Sequence, residues 1–522
     1  MKKYLLKRIL FSIFAIFVVV GTVMVLVYSL IDRELIFVND QVLLKKKYNE
    51  AEIYKLSKYK DYGYITYESY TSELNAKYKE QYGEGYQETQ GYKDALEALY
   101  DQNNYLTNTD VAEFVTKYKK QNYEILYMKP VVNSTGSVLS SPYLFAKKDI
   151  NVFVRMFKYF GNMFKFETIN DVQDERLTDR YIRWEWDARS NMPALVGSGT
   201  THKYLIYFDD KFPFIHQNIF HLNLGKSYTT FRDVDLIDVF GLPSDEAMFS
   251  EQEYPNDLGT GITHETSYDF HTMTYTYGEL SDIDLQMYPD RYTSANQNHK
   301  GLSRMANSFV IGIISTILTY LLGLPLGIWI ALKKDKLPDK IANLYIVFII
   351  AVPSLAYIFM FASIGMSLFK LPYQYATADP KILAYILPTV SLTLPAMGGL
   401  MKWMRRYMID QMNSDYVKFA RSQGLSEGEI FSKHIAPNAM IFIVHNIPID
   451  ILGAMTGAII TERVYGVPGV GRLLTNAINR HDNAIIVAMT LFYTTITITA
   501  LLLGDLLLAK YDPRISFTEG GN

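Results

Sequence analysis

Six stretches of this sequence are too long and too apolar for the core of a water-soluble domain: Ile9 to Ile31, Met305 to Leu332, Ile341 to Phe369, Ile382 to Met401, Asn438 to Ile460 and Asn483 to Ala509. As a helix rising about 1.5 Å per residue, the first alone covers a hydrocarbon layer of roughly 30 Å. Inside lipid the backbone must satisfy its own polar groups, so the predicted fold is an α-helical integral membrane protein with six transmembrane helices. Lys2, Lys3, Lys7 and Arg8 would also suit the start of a cleaved signal peptide. The 23 uncharged residues that follow exceed the usual apolar region of about 7 to 15, and no small-residue cleavage site comes after them, so an uncleaved anchor is expected.

The average composition hides this division. The chain holds 51 basic and 54 acidic side chains, a formal net charge of −3. The 272 residues from Asp32 to Ser303, however, hold 29 Lys/Arg against 41 Asp/Glu, and the remainder is net positive by 9. A polar block of net charge −12 would repel phosphate, so no nucleic-acid partner is expected. There is no cysteine, which excludes thiol catalysis, disulfides and cysteine-ligated metals. With the N-terminus inside, the cytoplasmic pieces carry 16 Lys/Arg and the two short outer connections carry 5. That bias places both termini in the cytoplasm of a multi-pass cell-membrane protein and the acidic block outside. The expected domains are therefore an N-terminal transmembrane helix over 1–31, an extracytoplasmic domain over 32–303, a transmembrane domain over 304–515 with a cytoplasmic loop at 412–438, and a cytoplasmic tail over 516–522.

Within the block, the Lys-, Glu-, Gln- and Tyr-rich chain up to about Tyr123 reads as helices with turns at Gly63, Gly83, Gly85 and Gly91. Beyond it, alternation such as Tyr204 to Phe208 and Thr272 to Tyr277 reads as strands. A mixed α/β domain inserted between helices 1 and 2 follows. It holds 28 of the 41 tyrosines, residues that suit a docking face but individually serve more often as core. Several spans contain helix breakers, among them Gly323, Pro325 and Gly327, Pro353, Pro388 and Pro395, and Pro448, each better read as packing than as a substrate site.

No energy source is visible in the chain. Gly225-Lys226-Ser227 ends like a phosphate-binding loop, but Phe220 stands where the first glycine is required, and Gly197 to Lys203 lacks the Gly-Lys pair. No metalloprotease, serine-hydrolase or calcium-loop pattern occurs, and the nine histidines are scattered, so no catalytic residue, metal site or cofactor of its own is assigned. Asp450 and Asp505 are the clear ionisable groups inside spans. Asp505, close to Lys510, suits a structural or interfacial role, while His445, Asn446 and Asp450 are the candidates for lining a polar path.

The most telling segment runs from Asp415 to Ala439. Asp415 can open a short helix that Gly424 stops, Ser426 with Glu429 forms a capping box for a second, and Pro437 begins the next span. Two surface helices at a bend would present Tyr416, Phe419, Ala420 and Leu425 to a cytoplasmic partner.

Here the chain resembles the EAA coupling loop of permease subunits from ATP-binding-cassette importers, in its oligopeptide/dipeptide form. Ala420, Gly424 and Pro437 match the general pattern, and Ala420-Arg421, Gly424-Leu425-Ser426, Lys433-His434 and Asn438-Ala439 match the peptide-permease variant. Gly323-Leu324-Pro325-Leu326-Gly327, the run Glu462 to Gly471 and Asp512-Pro513-Arg514-Ile515 agree, and Leu195 to Tyr228 is similar to the enlarged outer region of Gram-positive oligopeptide permeases. The resemblance implies a type I importer permease fold and a path shared with a second permease subunit. It further implies two ATPase subunits that bring ATP and magnesium, and a lipid-anchored binding protein that delivers oligopeptides. Asp415, Tyr416, Phe419, Ala420, Arg421, Gly424, Leu425, Ser426, Glu429, His434 and Asn438 would serve ATPase coupling, and Glu462, Pro468, Gly469 and Gly471 an outer gate. The competing readings are a gradient-driven carrier, which needs no ATPase, and a membrane-tethered sensor, which needs fewer spans than six.

Overall fold

The computed structural model describes residues 2–38, 40–169, 180–187, 191–197, 204–208, 215–241, 250–253, 263–266, 273–275, 293–295 and 302–511. The Asp-Pro-Arg-Ile sequence at 512–515, the tail at 516–522 and residues 198–203 of the Gly-Ser-Gly stretch lie outside the described residues.

Helix α1 (Lys2–Leu30) contains neither proline nor an acidic residue and is unbroken over 29 residues. The polar block that follows carries α2 (Gln41–Lys45), α3 (Asn49–Asp61), α4 (Tyr70–Tyr82), α5 (Gln90–Glu97), α6 (Thr109–Lys120), α7 (Val152–Gly161) and α8 (Leu236–Gly241). Its strands include β1 (Ile65–Ser69), β2 (Glu124–Met128), β3 (Val131–Val132), β4 (Val138–Ser140), β5 (Tyr143–Asp149), β6 (Phe164–Phe166), β7 (Ile182–Asp187), β8 (Met192–Gly197), β9 (Tyr204–Phe208), β10 (Ile215–Gln217) and β11 (Phe220–Leu222). The order β1-β5-β2 is antiparallel throughout, with Ile65 opposite Asp149 and Leu126 opposite Phe145. A second antiparallel sheet runs β10-β9-β8-β7, and β11 pairs β6.

Because successive strand residues point to opposite faces, β5 divides the core in two. Leu144 and Ala146 pack under α4, α5 and α6 with Tyr70, Leu74, Tyr92 and Phe114. Phe145 faces the other way, into a cluster that contains Tyr59, Tyr62, Tyr64, Leu236 and Phe240 together with Leu473, Ile485 and Ala488 from the last third of the chain. The block is thus fastened to the membrane helices by a shared core. Ten of its tyrosines, Tyr59, Tyr62, Tyr64, Tyr70, Tyr78, Tyr86, Tyr92, Tyr118, Tyr207 and Tyr228, are buried, which gives them a packing role.

Polar contacts complete the junction. The Asp482 carboxylate accepts the Ser227 hydroxyl at 2.6 Å and the backbone N–H groups of Tyr228, Thr229 and Thr230 at 2.9 to 3.1 Å. Gly225, at φ +88°, turns the chain into this nest. The Gly-Lys-Ser sequence that ends like a phosphate loop does hold an anion, a carboxylate of its own chain. Nearby, the Arg155 guanidinium lies 3.6 Å from the Tyr28 ring centroid and 4.0 Å from that of Tyr64, and donates to the Tyr228 hydroxyl at 2.6 Å.

The remaining helices are α9 (Arg304–Leu332), α10 (Leu337–Ala351), α11 (Ser354–Phe369), α12 (Ile386–Met412), α13 (Asp415–Ser422), α14 (Glu427–Ile430), α15 (Ala436–Val444), α16 (Ile447–Tyr465), α17 (Val470–Asn479) and α18 (Asn483–Tyr511). Among the described residues, four helical stretches are individually long and apolar enough to cross a membrane, and up to six if each of two bent pairs counts as one span. The expected third span, Ile341 to Phe369, is not one rod: α10 and α11 meet at 114°. Pro353 places the break here, since the residue before a proline is driven out of the helical region and Val352 is extended at ψ 131°. The expected fifth span breaks by 44° between α15 and α16. The fourth runs on past Met401 to Met412.

Helices α9 and α12 pack closely along their length. A Cβ at Gly327 would stand 2.8 Å from Met404 Cβ, and one at Gly323 3.1 Å from Leu400 Cδ2. Gly323 and Gly327 therefore serve helix contact, as small residues do in membranes. Arg405 of α12 grips the buried Asp339 of α10 through Nε at 2.6 Å and Nη2 at 2.7 Å. Arg8 of α1 and Asp505 of α18 meet at 2.9 Å, which gives Asp505 its partner at the end of the span.

Candidate functional site

Two features lie along α12. The first is the bend after Met412. Helix α13 starts at Asp415 and ends at Ser422, and Gly424 takes φ +81°, the left-handed conformation that glycine accepts without penalty. The Ser426 side chain accepts the Glu429 N–H while the Glu429 carboxylate accepts the Ser426 N–H, a complete capping box at the start of α14. These contacts, led by the Ser426 hydroxyl, hold the Glu429 carboxyl below the usual carboxylate range. One π-helical turn, Phe431–Ile435, leads into α15, with Pro437 in its first turn.

The bend has two faces. Val417, Ala420, Ile430 and Ile435 are buried against Met404 and Met408 of α12, with Leu425 partly buried beside them. Ala420 is therefore not presented to a partner, because residues three apart on α13 share the inner face with Val417. The outer face carries Asp415, Tyr416, Phe419 and Arg421, and Phe419 is 64% exposed. Arg421 pairs with Glu427 at 2.7 Å across the turn at Gly424, and Asp415 with Lys418 at 2.8 Å. Tyr416 donates to Gln411 at 2.6 Å, and Asn438 donates to the Tyr416 hydroxyl at 3.3 Å and the His434 carbonyl at 2.7 Å. Tyr416 thus ties α12 to α15, so displacement of the bend moves both helices together.

The second feature is a cavity of about 640 Å³ between α9, α12, α15 and α16. Asp450 lines it and accepts a hydrogen bond from Tyr320. Asn446 also lines it, and Trp403 and Tyr407 form an aromatic wall, stacked at 5.7 Å and continued by Phe442 at 5.0 Å. Ser315 and Thr319, also in the lining, bond to the Thr389 and Thr393 carbonyls and leave little free polar surface on α9. His445 is not part of this wall. It packs against α18, where a Cβ at Gly504 would lie 2.8 Å from the His445 carbonyl oxygen. Neighbouring helical residues point about 100° apart, which separates His445 from Asn446.

Glu462, Pro468, Gly469 and Gly471 come together as a closed knot. Glu462 is fully buried and accepts the Ser308 hydroxyl at 2.5 Å and the Arg472 N–H at 3.1 Å, at the N-terminus of α17. A Cβ at Gly469 would fall 2.1 Å from Glu462 Cδ, and one at Gly471 2.5 Å from Ile459 Cα. The Pro468 carbonyl accepts from Asn307 at 2.8 Å. Both glycines are required by close approach. Tyr320, Ser308, Asn307, Asp339, Arg405 and Asp482 take part in these arrangements without a sequence signal, since each partner is distant along the chain.

Residues 323–517 match the family model described as "binding-protein-dependent transport system inner membrane component". Over its whole length the chain is 32% identical to the oligopeptide transport system permease protein AmiC of Streptococcus pneumoniae, all of which is covered. It is 31% identical over 215 residues to the dipeptide transport system permease protein DppB of Lactococcus lactis, covering 41% of this chain and 69% of that protein. Among solved structures, an inward-facing MetNI methionine ABC transporter aligns with 40% of this chain and 93% of its own, at 14% identity and a TM-score of 0.32.

Proposed function

This chain belongs to the oligopeptide-permease family of binding-protein-dependent transport systems, and from that premise we propose how its parts divide the work of an ATP-driven peptide importer. It is a permease subunit, a non-enzymatic multi-pass membrane protein. The cavity lined by Asp450, Tyr320, Trp403 and Tyr407 is half of a path for oligopeptides, and a homologous second permease supplies the other half. Peptide suits these walls: aromatic faces accept varied side chains, and the Asp450 carboxylate with the Asn446 amide orients the polar backbone.

The outer face of the bend, centred on Phe419, is the handle for cytoplasmic ATPase subunits, which bind ATP and magnesium. The observation that carries this reading is the two-faced packing of α13: Ala420 and Val417 fixed to α12, Phe419 free. Moving a two-state equilibrium from 1:99 to 99:1 takes about 5.5 kcal/mol of differential binding, so the handle must be stiff where it joins the spans. The Tyr416–Gln411 and Asn438–His434 bonds provide that stiffness. In this arrangement six spans cross the cell membrane, with the bent pairs α10/α11 and α15/α16 each counted once, both termini lie in the cytoplasm, and the acidic block lies outside. There it receives a lipid-anchored binding protein, and the Glu462 knot closes the outer end of the path.

The test is peptide uptake into vesicles holding both permeases, with and without ATPases, and with Phe419→Glu. Uptake is expected to require the ATPases and ATP, and Phe419→Glu is expected to release them from the membrane. Full uptake by the permeases alone would leave a gradient-driven carrier as the reading.

A further inference from the structure

Helix α7 belongs by sequence to the polar block, yet it does not pack like a helix surrounded by water. It lies along α1: Phe160 meets Phe17 at 4.8 Å, Phe157 meets Phe17 at 5.9 Å, and Met156 is buried with Val20 and Met24. A Cβ at Gly21 would lie 2.7 Å from Met156 Sδ, so α1 is notched for α7 at that point. If the ion pair Arg8–Asp505 marks one edge of the hydrocarbon, Phe17 stands roughly 13 Å and Met24 roughly 24 Å along α1 from it. Both depths fall inside a layer of about 30 Å. The contact between α7 and α1 is therefore made at the depth of lipid tails, from about the middle of the layer outward on the side away from Arg8.

The other faces of α7 fit that position. Arg155, Lys158, Tyr159 and Asn162, spaced three and four apart, line a cleft of about 500 Å³ together with Lys226. Phe153, Val154 and Phe157 form an exposed apolar stripe, with Phe157 61% exposed. Through Phe17 this stripe is continuous with the exposed belt of α1 that includes Phe14, Val18 and Leu10.

We propose that α7 is set into the lipid leaflet around α1, with Phe153, Val154 and Phe157 among the acyl chains and the stem of Lys158 running up the helix flank toward the phosphates. The occupant of the face is the bilayer, because the belt it continues is already a lipid surface wherever α1 crosses the membrane, on which the proposal rests. Long cationic side chains above an apolar wedge are the usual composition of an interfacial helix. The wedge holds the outer block at a fixed tilt to the spans, independently of the Asp482 nest.

The absence of cysteine makes the test direct. In the assembled transporter in lipid nanodiscs, a bimane label is placed singly by Phe153→Cys, Phe157→Cys, Leu10→Cys as the lipid-facing reference and Glu88→Cys as the water-facing one. With nitroxide on the phospholipid tails, the labels at 153 and 157 are expected to lose most of their fluorescence, as at 10, and to resist aqueous iodide, while the label at 88 behaves oppositely. Quenching of 153 and 157 by iodide would overturn the proposal. So would protection from both quenchers, which would mean that a protein partner covers the face.

Discussion

Ser227 donates its hydroxyl to the Asp482 carboxylate at 2.6 Å, although 255 residues separate them and both are fully buried. Asp482 stands at the start of α18, where its Oδ1 also accepts the Ile485 N–H at 3.3 Å. One carboxylate thus caps a membrane helix and closes a nest in the polar block. Asp482→Ala leaves the Ser227 hydroxyl and four backbone N–H groups without this acceptor, at a cost of about 2–4 kcal/mol. Asp482→Asn should cost less, as its amide oxygen still accepts. Thermal unfolding in detergent, with limited proteolysis of the block, checks the order.

Gly469 is intolerant for a reason that can be isolated. Its missing Cβ is replaced by the Glu462 carboxylate, whereas a Cβ at Gly399 would meet nothing within 4 Å. Gly469→Ala should destabilise by about 1–3 kcal/mol, and Gly399→Ala should leave the melting temperature unchanged or slightly raised.

At Gly424 there is space for a side chain, and only φ +81° opposes one. Gly424→Ala should cost about 1–2 kcal/mol in the bend and uncouple ATP hydrolysis from uptake while insertion continues. Gly424→Asn should be milder, because asparagine visits this conformation more readily. Equal damage from Asn and Ala would show that something other than backbone conformation limits the position. Ala420→Leu tests the inner face, where added volume meets Val417 and Ile430 and should abolish coupling with no change at Phe419.

Arg405→Ala would strand the buried Asp339 carboxylate, at about 3–5 kcal/mol. Arg405→Lys keeps the charge but loses the two-pronged grip on both carboxylate oxygens, and should fall between. The melting temperatures of the two variants decide.

Asp450→Asn separates the transport readings at the cavity. An ATP-driven path should retain uptake with Asn at 450 and change mainly its preference among charged peptides. Complete loss of uptake, with ATPase binding intact, would point to a proton-carrying role.

The sequence foretold these elements unevenly. The apolar runs and the Ser426–Glu429 box were legible because their physics is local: length sets a span, and three residues set a capping box. Pro353 marked where the third run breaks, but the 114° between α10 and α11 depends on what each half packs against. Ala420 looked like a presented residue because periodicity gives the stripes of a helix without saying which one meets α12. Asp450 stood out as a charge in an apolar run, while its partner Tyr320, 130 residues earlier, gave no sign. The wedge on α7 was hidden most deeply, since a ten-residue helix within an acidic block resembles any amphipathic surface helix.

The first and last spans are neighbours, joined by Arg8 and Asp505 across 497 residues of chain. At synthesis rates of roughly 5–20 residues per second, α1 waits in the bilayer for about 25–100 s before the helix that seats it leaves the ribosome. Until α18 is made, the nest at Ser227 to Thr230 has no Asp482 to fill it and Arg8 has no Asp505, so the order of synthesis leaves both ends of this seam open until one helix closes them together.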